Sequence, residues 1–333
     1  MPGKLAFIYP GQGAQHIGMG KDAHERYPSV REAFRAASGA LGEDVERLVF
    51  DGVEEELMLT ANTQPAMLAT CWALTQPLLG AGVCPDVAAG LSVGEYAAHV
   101  AAGTIGFADA MRVVRLRGQM MQGEVPAGEG AMAAVIGLDE GAVRACCEEA
   151  AVALDGGAVV EPANFNCPGQ VVIAGHTRAV EAAAALCSRR GAKRAAMLAV
   201  SAPFHCSLLA GAGEKLARAL EGIALSPMRI PVVANATAEL VDDAAEVKGL
   251  LARQISSPVL WERSVRAMVG AGVGAFVEIG PGKTLAGFVR RIDKTAAVYN
   301  VSDVAGIEAA IGALAPVRPR ADAPTCQRAS AQN

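Results

Sequence analysis

Aromatic residues are scarce in this chain: Phe, Trp and Tyr make up 4% of its 333 residues. Bulk comes instead from Ala, Val, Leu and Gly, and 52% of the residues are hydrophobic. Side chains of that size suit the close helix–sheet packing of a soluble α/β enzyme, and the apolar fraction excludes a disordered chain. A basic surplus is also missing. The net charge is −5, which argues against a nucleic-acid binder. The eight cysteines contain no CxxC pair and one vicinal pair, Cys146-Cys147, so packed, reduced thiols in a cytoplasmic protein are expected. The apolar run Leu5 to Tyr9 stops at Pro10, too short for a secretory signal. The stretch Leu57 to Pro85 carries no charge, but Asn62, Gln64, Pro65, Gln76 and Pro77 interrupt it. A buried helix is expected there rather than a membrane span.

What is present reads as an α/β chain, long enough for one large domain with a smaller companion. A short apolar strand, Leu5 to Tyr9, leads into the turn Gly11-Gln12-Gly13-Ala14-Gln15. A dinucleotide fingerprint would need a third glycine where His16 stands, so that reading is weak. Helical patterns cover 22–40 and 65–80; 86–91 reads as a buried strand, and 94–102 opens a helix. Between about 130 and 200 the pattern becomes strand 131–137, helix 139–152, strands 159–165 and 170–175, helix 177–190 and strand 195–200. The middle strands are joined by the turn-rich Asn166-Cys167-Pro168-Gly169. That order is ferredoxin-like. The expected architecture is therefore a large hydrolase-like α/β domain with a parallel sheet, residues 1–128 and 201–315, and an inserted ferredoxin-like α+β subdomain, 129–200. Further strands of the large domain are expected at 230–234 and 275–279. A disordered tail is expected over 316–333, where Pro, Arg, Ala, Ser and Gln dominate.

The sharpest local signal is Gly90-Leu91-Ser92-Val93-Gly94, between a predicted strand and a predicted helix. Such an elbow exposes the serine oxygen, and backbone N–H groups at the helix start can hold an oxyanion. Five histidines compete to be its base. His24 lies among charged residues and reads as solvated, and His99 points along the helix after the elbow. His205, in Ser201-Ala202-Pro203-Phe204-His205 after an apolar strand, can be presented at a strand end, where a neutral imidazole would take the serine proton. On a helical wheel of 107–122, Arg117 falls in the sector of Phe107, Ala110, Met111, Val113, Val114, Met120 and Met121, whereas Arg112 and Arg115 point away. A buried guanidinium needs an anion. Either an Asp or Glu of the protein or a substrate carboxylate would serve.

These pieces sit within eight ordered segments: Phe7 to Gln15, Thr60 to Ala66, Gly90 to Tyr96, Arg115 to Gln122, Asn164 to Gly175, Pro203 to His205, Gln254 to Trp261 and Glu278 to Lys283. Together they resemble the malonyl-CoA:acyl-carrier-protein transacylase family over about residues 4–302. The resemblance implies transfer of a malonyl group from coenzyme A to acyl carrier protein, ping-pong, through Ser92 with His205 as base. It implies that a backbone carbonyl near Gln254 orients the histidine in place of a carboxylate. It further implies an oxyanion hole from the N–H groups of Gln12 and Val93, a clamp on the malonyl carboxylate from Arg117, and cleft contacts from Asn164 and Asn166. Phe204 resembles the residue of malonyl-selecting members, and Leu91 departs from the histidine that many relatives carry before the serine. No metal or cofactor is expected, coenzyme A being part of the substrate. The partners expected are malonyl-CoA and acyl carrier protein, with no nucleic acid or membrane, and the protein is expected to be a monomer. Lys193-Arg194, Arg189-Arg190 and Arg290-Arg291 are candidates for a basic patch facing the acidic carrier. A rival reading takes Asp155-Gly156 as the Asp-Gly motif of a patatin-like Ser–Asp hydrolase. Another takes the chain as a non-catalytic scaffold.

Overall fold

The computed structural model describes residues 3–126, 128–154, 157–200 and 202–315. Its ten strands, in chain order, are β1 (Lys4–Tyr9), β2 (Val87–Gly90), β3 (Gly130–Ile136), β4 (Val160–Cys167), β5 (Gln170–His176), β6 (Arg194–Met197), β7 (Val232–Val233), β8 (Leu240–Val241), β9 (Val273–Ile279) and β10 (Ala297–Val301). They form two sheets. The larger runs β10-β9-β1-β2-β7-β8; its first five strands are parallel and β8 is antiparallel to β7. Parallel strands need both faces covered. Alternation along β1 shows how that is met: Phe7 and Tyr9 enter the core on one side, Ala6 and Ile8 a separate core on the other.

The smaller sheet is antiparallel, ordered β4-β5-β3-β6, with the helices Glu140–Ala153 and Thr177–Arg189 as its crossovers. This is the ferredoxin-like order read from the sequence. Gly169, at φ +70, makes the tight link between β4 and β5. Val259, which belongs to neither sheet, pairs with β4 at the edge of the smaller one: the Val259 N–H donates to Ala163 O at 2.8 Å and the Phe165 N–H to Val259 O at 2.9 Å.

The uncharged stretch forms the helix Thr60–Gly80, buried nearly all round, and among the described residues no helix is long and apolar enough to cross a membrane. The expected helix 22–40 is two helices, Lys21–Arg26 and Pro28–Leu41. Pro28 forces Tyr27 into extended backbone, φ −114 and ψ 121, and so ends the first. The strands expected at 195–200 and 230–234 are shorter, Arg194–Met197 and Val232–Val233. Reduced thiols are found at Cys71, Cys146, Cys147, Cys167, Cys187 and Cys206, all buried. Cys326 lies outside the described residues. Residues 316–333, read as a tail, lie outside the described residues.

Glu278, at 0% exposure near the end of β9, accepts the N–H groups of Leu285 (3.1 Å) and Ala286 (2.7 Å). These belong to the first turn of the helix Thr284–Ile292, where no intrahelical carbonyl can reach them. Replacing Glu278 by Ala strands two buried donors. The expected loss is about 3 kcal/mol, read as a lower urea midpoint with an unchanged slope.

Candidate active site

Ser92 follows β2 and precedes the helix Gly94–Ala101, and it sits at φ 55, a left-handed backbone that serine rarely adopts. Sterics force the flanking glycines. A Cβ on Gly90 would lie 1.9 Å from the carbonyl carbon of Gly94, and one on Gly94 would lie 2.2 Å from Tyr9 O. Asn235, two residues past β7, braces the turn from outside: its Oδ1 accepts the Ser92 N–H at 2.7 Å and its Nδ2 donates to Gly90 O at 2.7 Å. The N–H groups of Gly94, Glu95 and Tyr96 fold back onto the carbonyls of Leu91, Ser92 and Val93. The Val93 N–H lies ahead of all three. Gln12 follows β1, the strand next to β2, and the two loops are tied by the Leu91 N–H donating to Tyr9 O at 2.9 Å. Gly11 permits that approach, since a Cβ there would stand 2.6 Å from Leu91 O. Gln12 and Val93 thus share the C-terminal end of the parallel sheet, where α/β folds place their ligands.

The structure brings His205 and Arg117 to the same oxygen. Ser92 Oγ–H donates to His205 Nε2 at 2.7 Å, and Arg117 Nη2 donates to Ser92 Oγ at 3.1 Å. His205 Nδ1 lies 3.0 Å from Gln254 O. A carbonyl can only accept, so Nδ1 carries the ring proton and Nε2 offers its lone pair to the serine. Burial lowers the His205 pKa to about 4, with the positive Arg117 adding to the effect. The ring is a neutral base at pH 7.

Arg117 is completely buried on the helix Phe107–Glu124, as the wheel requires. Its Nη1 donates to Gln64 Oε1 at 2.7 Å, its Nη2 to Gln254 Oε1 at 2.8 Å, and its guanidinium carbon lies 5.6 Å from the centre of the Tyr96 ring. Among the described residues it forms no ion pair with any Asp or Glu. Burial accordingly pushes its pKa down. Arg115 does point elsewhere, to Ala61 O (2.7 Å), Asn62 Oδ1 (2.6 Å) and the Glu43 carboxylate.

Gln254, expected to orient the histidine through its carbonyl and to contact substrate, is buried and turns its side chain inward: beyond its two acceptor roles, its Nε2 donates to Ser92 O (3.0 Å) and to Glu95 Oε2 (2.6 Å). Asn164 and Asn166 lie on β4, both 7% exposed, and Asn166 Oδ1 has no hydrogen-bond partner among the described residues. Phe204 is buried immediately before His205. His24 is only partly exposed: it packs edge-on against Phe50, 5.0 Å between ring centres, and sits 3.4 Å from Glu46. His99 is buried, and burial holds its pKa near 3. Asp155 and Gly156 lie outside the described residues. Sequence reasoning assigned no role to Gln64, Asn235 or Glu95. Gln64 and Glu95 stand inside motif segments, whereas nothing local marks Asn235.

Residues 6–313 match the family described as the acyl transferase domain. The malonyl CoA-acyl carrier protein transacylase of Bacillus subtilis (strain 168) is 43% identical over 311 residues, covering 93% of this chain and 97% of that protein. An acyl carrier protein S-malonyltransferase from Vibrio cholerae, solved by crystallography, superposes with a TM-score of 0.88 at 46% identity, over 92% of this chain and 99% of that one. A malonyl-transacylase solved in complex with its holo type II PKS acyl-carrier protein superposes at 0.90 with 44% identity, over 93% and 99% of the two chains.

The His205 assignment can be read directly. In ring 15N spectra its neutral, Nδ1-protonated form should persist down to about pH 5, and protonation should begin only as the pH nears about 4. A titration midpoint at the usual histidine value of about 6.5 would contradict the burial argument.

Proposed function

The chain belongs to the acyl transferase family, and on that premise we propose that it carries a malonyl group from malonyl-CoA to the phosphopantetheine thiol of an acyl carrier protein, by way of a malonyl ester on Ser92. One observation carries the choice of acyl group. Arg117 is a fully buried cation that meets only neutral acceptors, with one nitrogen 3.1 Å from the Ser92 oxygen. No carboxylate among the described residues is in direct contact with it, and the free carboxylate of a malonyl thioester bound for attack by Ser92 would supply that contact.

The steps follow from the hydrogen bonds. His205 Nε2 takes the Ser92 proton as Oγ attacks the thioester carbonyl, and the N–H groups of Gln12 and Val93 hold the resulting oxyanion. Collapse breaks the C–S bond, and His205 returns the proton to the sulfur, so coenzyme A leaves as a thiol. The carrier thiol then gives its proton to His205 and attacks the malonyl ester. Collapse breaks the ester bond and reprotonates Ser92. The Gln254 carbonyl holds the ring through both halves and stabilises each imidazolium, so no carboxylate is required. No cofactor enters the reaction. Phe204 beside the base disfavours an α-branched acyl group, by about 1–3 kcal/mol for a misfit of one methyl.

The carrier protein is the natural acceptor because the malonyl-transacylase of the solved complex is seen with one. Of the candidate basic residues, Arg190 is paired with Glu149, Arg290 donates to Val298 O, and Arg291 donates to Gln170 Oε1 and to Pro168 O. Those contacts leave Lys193, Arg194 and Arg189 as the better candidates for docking.

Incubation with malonyl-CoA followed by intact-mass measurement should show one malonyl adduct on the wild type and none on Ser92→Ala. A scaffold would take up none. Arg117→Ala should shift the ratio of malonyl to acetyl acylation toward acetyl by about 30-fold or more, the lower end of the cost of truncating a buried charge pair. An unchanged ratio would remove Arg117 as the carboxylate clamp.

A further inference from the structure

Beneath the elbow lies a carboxylate that the transfer chemistry does not use. Glu95 stands in the first turn of the helix Gly94–Ala101 at 1% exposure. A buried carboxylate is costly, and a purely structural one is expected to sit in an ion pair or cap a helix. Glu95 does neither. The basic side chain within ion-pair distance is the buried His99, whose Nε2 is 4.0 Å from Oε1, and burial keeps that ring neutral; the Arg117 charge reaches the carboxylate only across the intervening Gln254 amide. Instead its Oε2 gathers two donors from distant parts of the chain, Gln254 Nε2 at 2.6 Å and the Asn235 N–H at 3.0 Å.

Those two residues are the ones that shape the site. Asn235 holds both ends of the elbow, through the Ser92 N–H and Gly90 O. Gln254 reaches all three working residues: its side chain donates to Ser92 O and accepts from Arg117 Nη2, and its main-chain oxygen orients His205. The Gln254 amide can serve Arg117 only with its oxygen turned that way, because a guanidinium donates and never accepts. An ionised carboxylate accepts and never donates, so Glu95 compels the nitrogen end of the amide to face it and leaves the oxygen end for Arg117. An amide at position 95 would lift that compulsion, since it could present its own N–H2 to a flipped Gln254. Two donor sets would then meet at Arg117.

We propose that Glu95 is a positioning residue of acyl transfer: its buried carboxylate sets the orientation of the Gln254 amide, and with Asn235 holds Ser92, His205 and Arg117 in one register. This rests on the acyl-transfer reading above. Its effect is selective, because the Arg117 arm matters for a malonyl group and not for an acetyl group, which carries no carboxylate.

The test measures Ser92 acylation rates with malonyl-CoA and acetyl-CoA, by quenched intact mass at about pH 8, where the carboxyl (raised by burial to about 7) is ionised. The proteins are the full-length wild type, Glu95→Gln, Gln254→Ala and the double variant, each checked for a cooperative melt. Glu95→Gln should lose about 100-fold on malonyl-CoA but only about 10-fold on acetyl-CoA, the scale of a small misplacement of reacting groups. Because Glu95 acts through Gln254, the double variant should fall within about threefold of Gln254→Ala. If Glu95→Gln does not melt cooperatively, Glu95→Asp takes its place; it keeps the charge but withdraws it by one methylene, and should show the same malonyl-weighted loss at about 10-fold. Equal losses on the two thioesters, additive effects in the double variant, or full activity in a folded variant would overturn the proposal. A wild type that acquires no malonyl group fails the acyl-transfer reading itself, and the role of Glu95 falls with it.

Discussion

A positive charge at zero exposure, with no carboxylate against it, organises this site. The Arg117 guanidinium costs several kcal/mol to bury, and neutral acceptors offset only part of that cost. Gln64 and Gln254 are those acceptors, and both are held in turn by helices packed against the sheet. The charge acts beyond its own contacts. It lies close enough to His205 to help keep the ring unprotonated, and its Nη2 rests on the Ser92 oxygen, where negative charge develops during attack. A single cation thus favours both the free base and the charged nucleophile, which the same base would otherwise have to generate alone.

The second constraint is geometric. Ser92 and His205 both occupy left-handed backbone at φ 55 and φ 62, conformations that cost of order 1–3 kcal/mol each. Tight backbone contacts around Gly90 and Gly94 and the Asn235 brace hold the first; the Gln254 carbonyl bonds the ring of the second. A sheet end carries the first, and a helix end supports the second, which lies in a turn well past β6 rather than at a strand end. The nucleophile follows β2, at the centre of the larger sheet, and Gln254 ends a helix shortly before the Val259 link to the smaller one.

Legibility from sequence followed the range of the interactions. The elbow could be read because sterics within five residues dictate Gly90, and Gly94, which the neighbouring Tyr9 carbonyl dictates, completes the same short pattern. Arg117 could be read because a helix has a period, and the ferredoxin-like order because strands and helices alternate at recognisable lengths. His205 was a weaker reading on residues alone and gained force from the resemblance. The break at Tyr27 was local and still missed, since the charged pattern from 22 to 40 masked the effect of Pro28. Asn235 and Gln64 could not be assigned, because their meaning lies in partners 143 and 53 residues away. His24 was misjudged for a related reason: charged neighbours in sequence say nothing about Phe34 and Phe50, which pack on it in space.

The span of those contacts also sets when the site can exist. Ser92 and Gln254 are 162 residues apart, and Ser92 and His205 are 113 apart. During synthesis the serine therefore emerges long before its base, and both emerge before the residue that orients them. Loop closure over such distances is slow and comes late in folding. A ribosome-bound fragment ending before residue 254 holds the nucleophile but lacks the carbonyl that selects the basic tautomer. Reactivity toward thioesters is in this way withheld until Gln254 itself has been made.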